Sequence, residues 1–117
     1  MILFYIKYRN DKKSKFDNAI MILYRQTARW AAASIQDDSE LIRLLHANYS
    51  AGYLWSLKDI VSTEEFKRIT GEDFLTLESK IVSIQDTATK MIVDKCKPLI
   101  FVEEPLLFKA MYSRKNE

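Results

Sequence analysis

Scarcity of chain punctuation is the strongest constraint on this sequence. Its 117 residues include only two glycines, Gly52 and Gly71, and two prolines, Pro98 and Pro105, well below the usual shares of about 7% and 5%. Tight turns must therefore be few and the elements between them long, which favours helices. The length suits one domain with a self-supporting core. The expected fold is all-α: a small antiparallel bundle of three long helices plus one or two short ones, with extended hydrophobic segments at both ends.

The first helix is predicted to begin near Ser14, which can cap it, and to turn Phe16, Ile20, Leu23, Thr27, Trp30 and Ser34 inward at alternating steps of three and four. Residues 31–33, all alanine, leave room for a neighbouring helix to come close. The polar break at residues 36–39 ends it, with Asp38 or Ser39 as the next cap and Glu40 in a first turn that the helix dipole favours. A second helix then runs to about Ile60, and Leu41, Leu44, Leu45, Tyr49, Tyr53, Leu54, Trp55 and Ile60 are its inward candidates. Gly52 inside it costs about 1 kcal/mol against alanine, so it needs a reason. Close helix packing is favoured, and a bound ligand is the other.

Ser62 and Glu65 fit a capping box that opens a short helix, and Gly71 supplies a left-handed stop. Phe74, Leu77, Ile81, Ile84, Ala88 and Met91 then give the cleanest periodic signal in the chain, a third long helix ending at Lys95 and Lys97 before Pro98.

Residues 1–6 and 99–102 are apolar, uncharged and rich in β-prone side chains. They divide the chain into an extended arm over residues 1–10, a helical core over 14–97 and an extended or short-helix tail over 98–117. Three dispositions are open for the ends: they pair as a ribbon across the helices, dock on another copy or another protein, or, at the N-terminus, lengthen the first helix. Trp30, Tyr49, Tyr53 and Trp55 are the expected contacts between helices. Phe4, Tyr5, Ile6, Phe101 and Phe108 are the expected interface residues.

Candidate chemistry is sparse. The one cysteine, Cys96, excludes an internal disulfide and fits synthesis in a reducing, intracellular setting. No signal-peptide pattern is expected, and no window reaches the roughly 18–20 apolar residues of a membrane span. His46 would need a nucleophile and an orienting acid in reach to act as a base, and a structural, hydrogen-bonded or solvent-facing histidine is the simpler reading. Asp37, Asp38 and Glu40 lack the alternate spacing and glycine of a calcium loop, so capping explains them better. Two glycines cannot build a phosphate loop. No cofactor or metal is expected.

Charge is unevenly placed. Residues 1–29 hold seven cations against two acids, a net +5, although the whole chain is only +2. Lys12, Lys13, Lys15, Arg25 and Arg29 could therefore meet nucleic acid, yet the sequence pI of about 8.6 lies below the value above about 9 typical of a dedicated nucleic-acid domain. The favoured expectation is a non-enzymatic structural or interaction subunit that docks other protein subunits through its hydrophobic termini, as a component of a virus particle would. A small nucleic-acid-associated helical protein is the alternative.

Overall fold

A computed structural model describes residues 2–95, and these form four helices in the order α1 (Ile2–Gln36), α2 (Glu40–Ile60), α3 (Thr63–Thr70) and α4 (Phe74–Lys95), with no strand among the described residues. The fold is all-α. Residues 96–117, which hold the expected tail with Phe101 and Phe108, lie outside the described residues.

The expected extended arm is corrected. Residues 2–10 are the start of α1, which is helical without interruption from Ile2. The run of Arg9, Asn10, Asp11, Lys12 and Lys13 looks like a loop in sequence, but it contains neither glycine nor proline, and each of its residues costs a helix well under about 1 kcal/mol. Side chains one turn apart also support it. The Arg9 guanidinium lies over the Tyr5 ring at 5.8 Å and the Lys12 ammonium over Tyr8 at 5.0 Å, both at the four-residue spacing that brings helical neighbours together. β-propensity is a weak and context-dependent preference, and among the described residues there is no strand for it to pair with.

α1 and α2 run antiparallel, with their register fixed by two buried serines. The Ser50 hydroxyl donates to the Thr27 carbonyl at 2.6 Å, and the Ser34 hydroxyl donates to the Arg43 carbonyl at 2.8 Å. A hydroxyl reaches the backbone of the facing helix only when the two backbones approach closely, and the buried Ala31, Ala47 and Ala51 allow that approach. α4 packs antiparallel on another side of α2, where Gln85 meets Asn48 at 2.9 Å and Lys58 meets Glu78 at 3.3 Å. At the far end of the same pair Lys95 meets Glu40.

Short-range signals set the ends as the sequence implies. Ser39 caps α2, its hydroxyl accepting from the Ile42 amide at 3.4 Å. Ser62 caps α3 by accepting from the Glu65 amide at 3.1 Å, and Gly71 ends α3 with a left-handed φ of 79°. The Glu65 carboxylate completes no capping box and holds Arg68 instead, at 2.7 Å. Asp73 caps α4, accepting from both the amide and the hydroxyl of Thr76.

The core is centred where α3 closes the end of the pair. Phe66 is fully buried and packs edge-on against Tyr24 of α1, with ring centres 5.5 Å apart, and against Phe74 of α4, at 5.2 Å. Ile20, Leu54, Leu57 and Ile81 complete it. Arg68 ties α3 to α1 through two contacts of 3.0 Å to the Asp17 carboxylate. This guanidinium holds the Asp17 and Glu65 carboxyls below the usual carboxylate range, and its own pKa is raised in return by Asp17 and then Glu65.

Candidate interaction surface

The register of α1 against α2 creates an overhang. With Thr27 opposite Ser50 and Ser34 opposite Arg43, Ile60 at the end of α2 falls opposite residue 17. At about 1.5 Å per residue, α1 is about 52 Å long and α2 about 32 Å. Residues 2–16 therefore run past the end of α2, and no residue among them is buried. Within this overhang Ile2, Leu3 and Phe4 are 76%, 82% and 80% exposed, and Tyr5, Ile6 and Tyr8 are also exposed. Three of the expected interface residues, Phe4, Tyr5 and Ile6, thus share one helical tip.

A polar collar separates this tip from the body. Arg9, Asn10, Lys12 and Lys13 line, with Ile6, a shallow surface depression of about 460 Å³. The expected nucleic-acid residues are spread along α1. Lys12 is turned onto Tyr8, while Lys13 contributes positive charge to Asp17 and Glu65 on the α3 side. Arg25 and Arg29 stand one turn apart on the face of α1 opposite Ile20, Thr27 and Ala31, and Arg29 lies over Trp30 at 5.7 Å. About 25 Å of helix separates Lys12 from Arg29.

The second exposed apolar surface was misassigned from sequence. α2 buries Ala47, Ser50, Ala51, Leu54 and Leu57, whereas Leu41, Leu45, Tyr49, Trp55 and Ile60, all expected to point inward, are exposed. The sequence favours large apolar residues as the inward ones, but where α1 approaches closely the face is made of Ala47, Ser50 and Ala51, and the large side chains Leu54 and Leu57 are buried only beyond them. The signal lay in the spacing of Ala47, Ser50, Ala51, Leu54 and Leu57, which recur every three or four residues. Of the expected aromatic contacts, Trp30 and Tyr49 do meet across α1 and α2, with ring centres 5.3 Å apart even though Tyr49 stays partly exposed, and Trp30 also lies 5.0 Å from His46.

Gly52 lies on this exposed face and serves no packing between the described helices. No atom among the described residues comes within 4 Å of the position a Cβ would take. Instead Gly52 lines an open cleft of about 430 Å³ with Trp30, Asn48, Tyr49, Tyr53 and Ser56. Asn48 is shared with a second depression, of about 320 Å³, formed by Leu41, Ile42, Leu44 and Leu45. Together they make one shallow apolar groove along the outside of α2, notched at Gly52.

His46 has the acid it would need but sits outside that cleft. Its Nδ1 meets the Asp37 carboxylate, while Arg43 donates to the Asp37 carbonyl at 2.7 Å and 3.3 Å. Both contacts hold the α1–α2 turn closed, which accounts for Asp37 without a bound ion. Among the described residues no group of three or more potential metal ligands comes together, and no helix is long and apolar enough to cross a membrane. The buried hydroxyls of Ser34 and Ser50 are committed to carbonyls. Comparison with protein-family models, curated proteins and solved structures finds no match to this chain.

Proposed function

We propose that this chain is a structural or interaction subunit without catalytic activity, and that it docks into a larger protein assembly through the N-terminal tip of α1. One observation carries the reading: Ile2, Leu3 and Phe4 are more than three-quarters exposed on a stretch of helix in which none of residues 2–16 is buried. Fully burying a side chain of this kind is worth about 1.5–3 kcal/mol, so several together supply a strong drive toward a partner. Apolar patches of this sort on a monomer mark interaction sites.

The chemistry of the tip defines the partner. A helix laid in a groove presents anchors three and four residues apart, and Ile2, Tyr5 and Ile6 have that spacing. Behind them Lys7, Arg9, Lys12 and Lys13 form a cationic collar. The matching surface is an apolar groove on a protein, with an acidic rim that speeds encounter and fixes direction.

The test is the mass in solution of the full chain and of a chain beginning at Arg9. The full chain is expected to form a larger species that is lost on removing the tip, and Ile6→Asp, which places a charge on the anchor stripe, should reproduce the loss with the helical content unchanged. Monomers in both preparations would overturn the reading.

A further inference from the structure

The groove along α2 has a candidate occupant within the chain. We propose that residues 99–112 of this same chain lie in the groove formed by Leu41, Leu45, Asn48, Tyr49 and Gly52, covering the apolar face that the described residues leave open. This goes beyond the docking role assigned to the N-terminal tip and does not depend on it.

Three observations point to it. The first is where the described chain ends: Lys95, the last residue of α4, contacts Glu40, the residue immediately before Leu41 at the head of the groove. The second is reach and composition. The groove from Leu41 to Ser56 is about 22 Å long at helical rise. The eleven residues from Lys95 to Leu106 can extend about 36 Å, so every point of the groove is accessible. The segment itself is mostly apolar, with Leu99, Ile100, Phe101, Val102, Leu106, Leu107, Phe108, Met111 and Tyr112. Tethering at this distance gives an effective concentration on the order of millimolar, enough to fill a weak site without an external partner.

The third observation is Gly52. An exposed glycine in a helix interior is unfavourable, and no described atom approaches it, so packing among the described helices does not explain it. A notch at mid-groove lets an overlying chain come close to the α2 backbone, which is the use a missing Cβ serves.

Paramagnetic broadening in the full chain tests this. A nitroxide is attached at Lys109→Cys in a Cys96→Ser background, and the amide signals of α2 are recorded by NMR. The expected result is loss of the amide signals of residues 41–56 when label and isotope share one chain. No loss is expected when spin-labelled, unenriched chain is mixed with isotope-enriched, unlabelled chain. Loss in the mixture as well as in the single-chain sample would overturn the proposal in favour of a second copy as occupant, and retention of the signals in both samples would overturn it outright. Gly52→Trp fills the notch, and with open space around position 52 the helices should keep their circular dichroism. It is expected to restore the signals in the singly labelled chain. Continued loss in that variant would overturn the role given to the notch.

Discussion

The two halves of α1 are one continuous helix held by different forces. From Ile20 onward the helix is fixed by tertiary packing: Ile20, Thr27, Ala31 and Ser34 are buried, and Tyr24 meets Phe66. Among residues 2–15 none is buried, and stacked pairs such as Tyr5 with Arg9 and Tyr8 with Lys12 support the helix locally. Such pairs are worth about 0.5–1 kcal/mol each at exposed sites, whereas a buried phenylalanine is worth several times that. The body therefore carries the stability of the domain, and the overhang is free to carry recognition.

Substitutions can break this contrast, and the largest effect belongs to the body. Phe66→Ala should lower unfolding stability by about 3–5 kcal/mol in a chemical denaturation experiment, while Phe4→Ala should leave the same curve within about 0.5 kcal/mol. Equal losses at both positions would mean that the tip is packed after all. Next in size is Asn10→Pro, which costs the local helix about 3 kcal/mol. Hydrogen exchange should then lose protection before residue 10 while the thermal midpoint of the body stays where it was.

Smaller effects sharpen the picture of the body. Ser50→Ala removes the hydroxyl that spans α1 and α2 and should cost about 0.5–1.5 kcal/mol, read from the denaturation midpoint. The mildest is the response to acid. Asp17 and Glu65 are held below their ordinary pKa by Arg68, and Asp73 by its hydrogen bonds from Thr76. A carboxyl whose folded pKa is lowered contributes stability above its unfolded pKa, about 3.9 for Asp and 4.3 for Glu, and loses it as pH falls through the folded value. The thermal midpoint should therefore drop below about pH 4. Arg68→Met removes the group that lowers both carboxyls and should flatten the Asp17 and Glu65 part of that drop, a small part because these contacts are exposed and screened by solvent.

Much of the architecture was legible in the residues. The cap at Ser62, the left-handed stop at Gly71 and the end of α2 at Ile60 all lie where the sequence places them, because caps and turns depend on a few neighbouring atoms. The inward stripe of α4 was legible too, with Phe74, Ile81 and Ala88 buried. The start of α1 was not, because β-propensity over residues 1–6 competed with a helical continuation that only the neighbouring turns reveal.

The candidate surfaces divide in the same way. Phe4, Tyr5 and Ile6 could be named from composition alone, since an apolar, uncharged run at a chain end needs a cover wherever it sits. The groove on α2 could not. Whether Leu41 and Trp55 or Ala47 and Ala51 face the neighbouring helix depends on how closely the backbones approach, and that distance is a property of the pair. By itself the sequence determined that this protein is helical and where most helices stop, because those outcomes rest on local hydrogen bonding and side-chain periodicity. Only the tertiary structure decided which faces of α1 and α2 stay uncovered, because burial depends on the length and register of one helix against another.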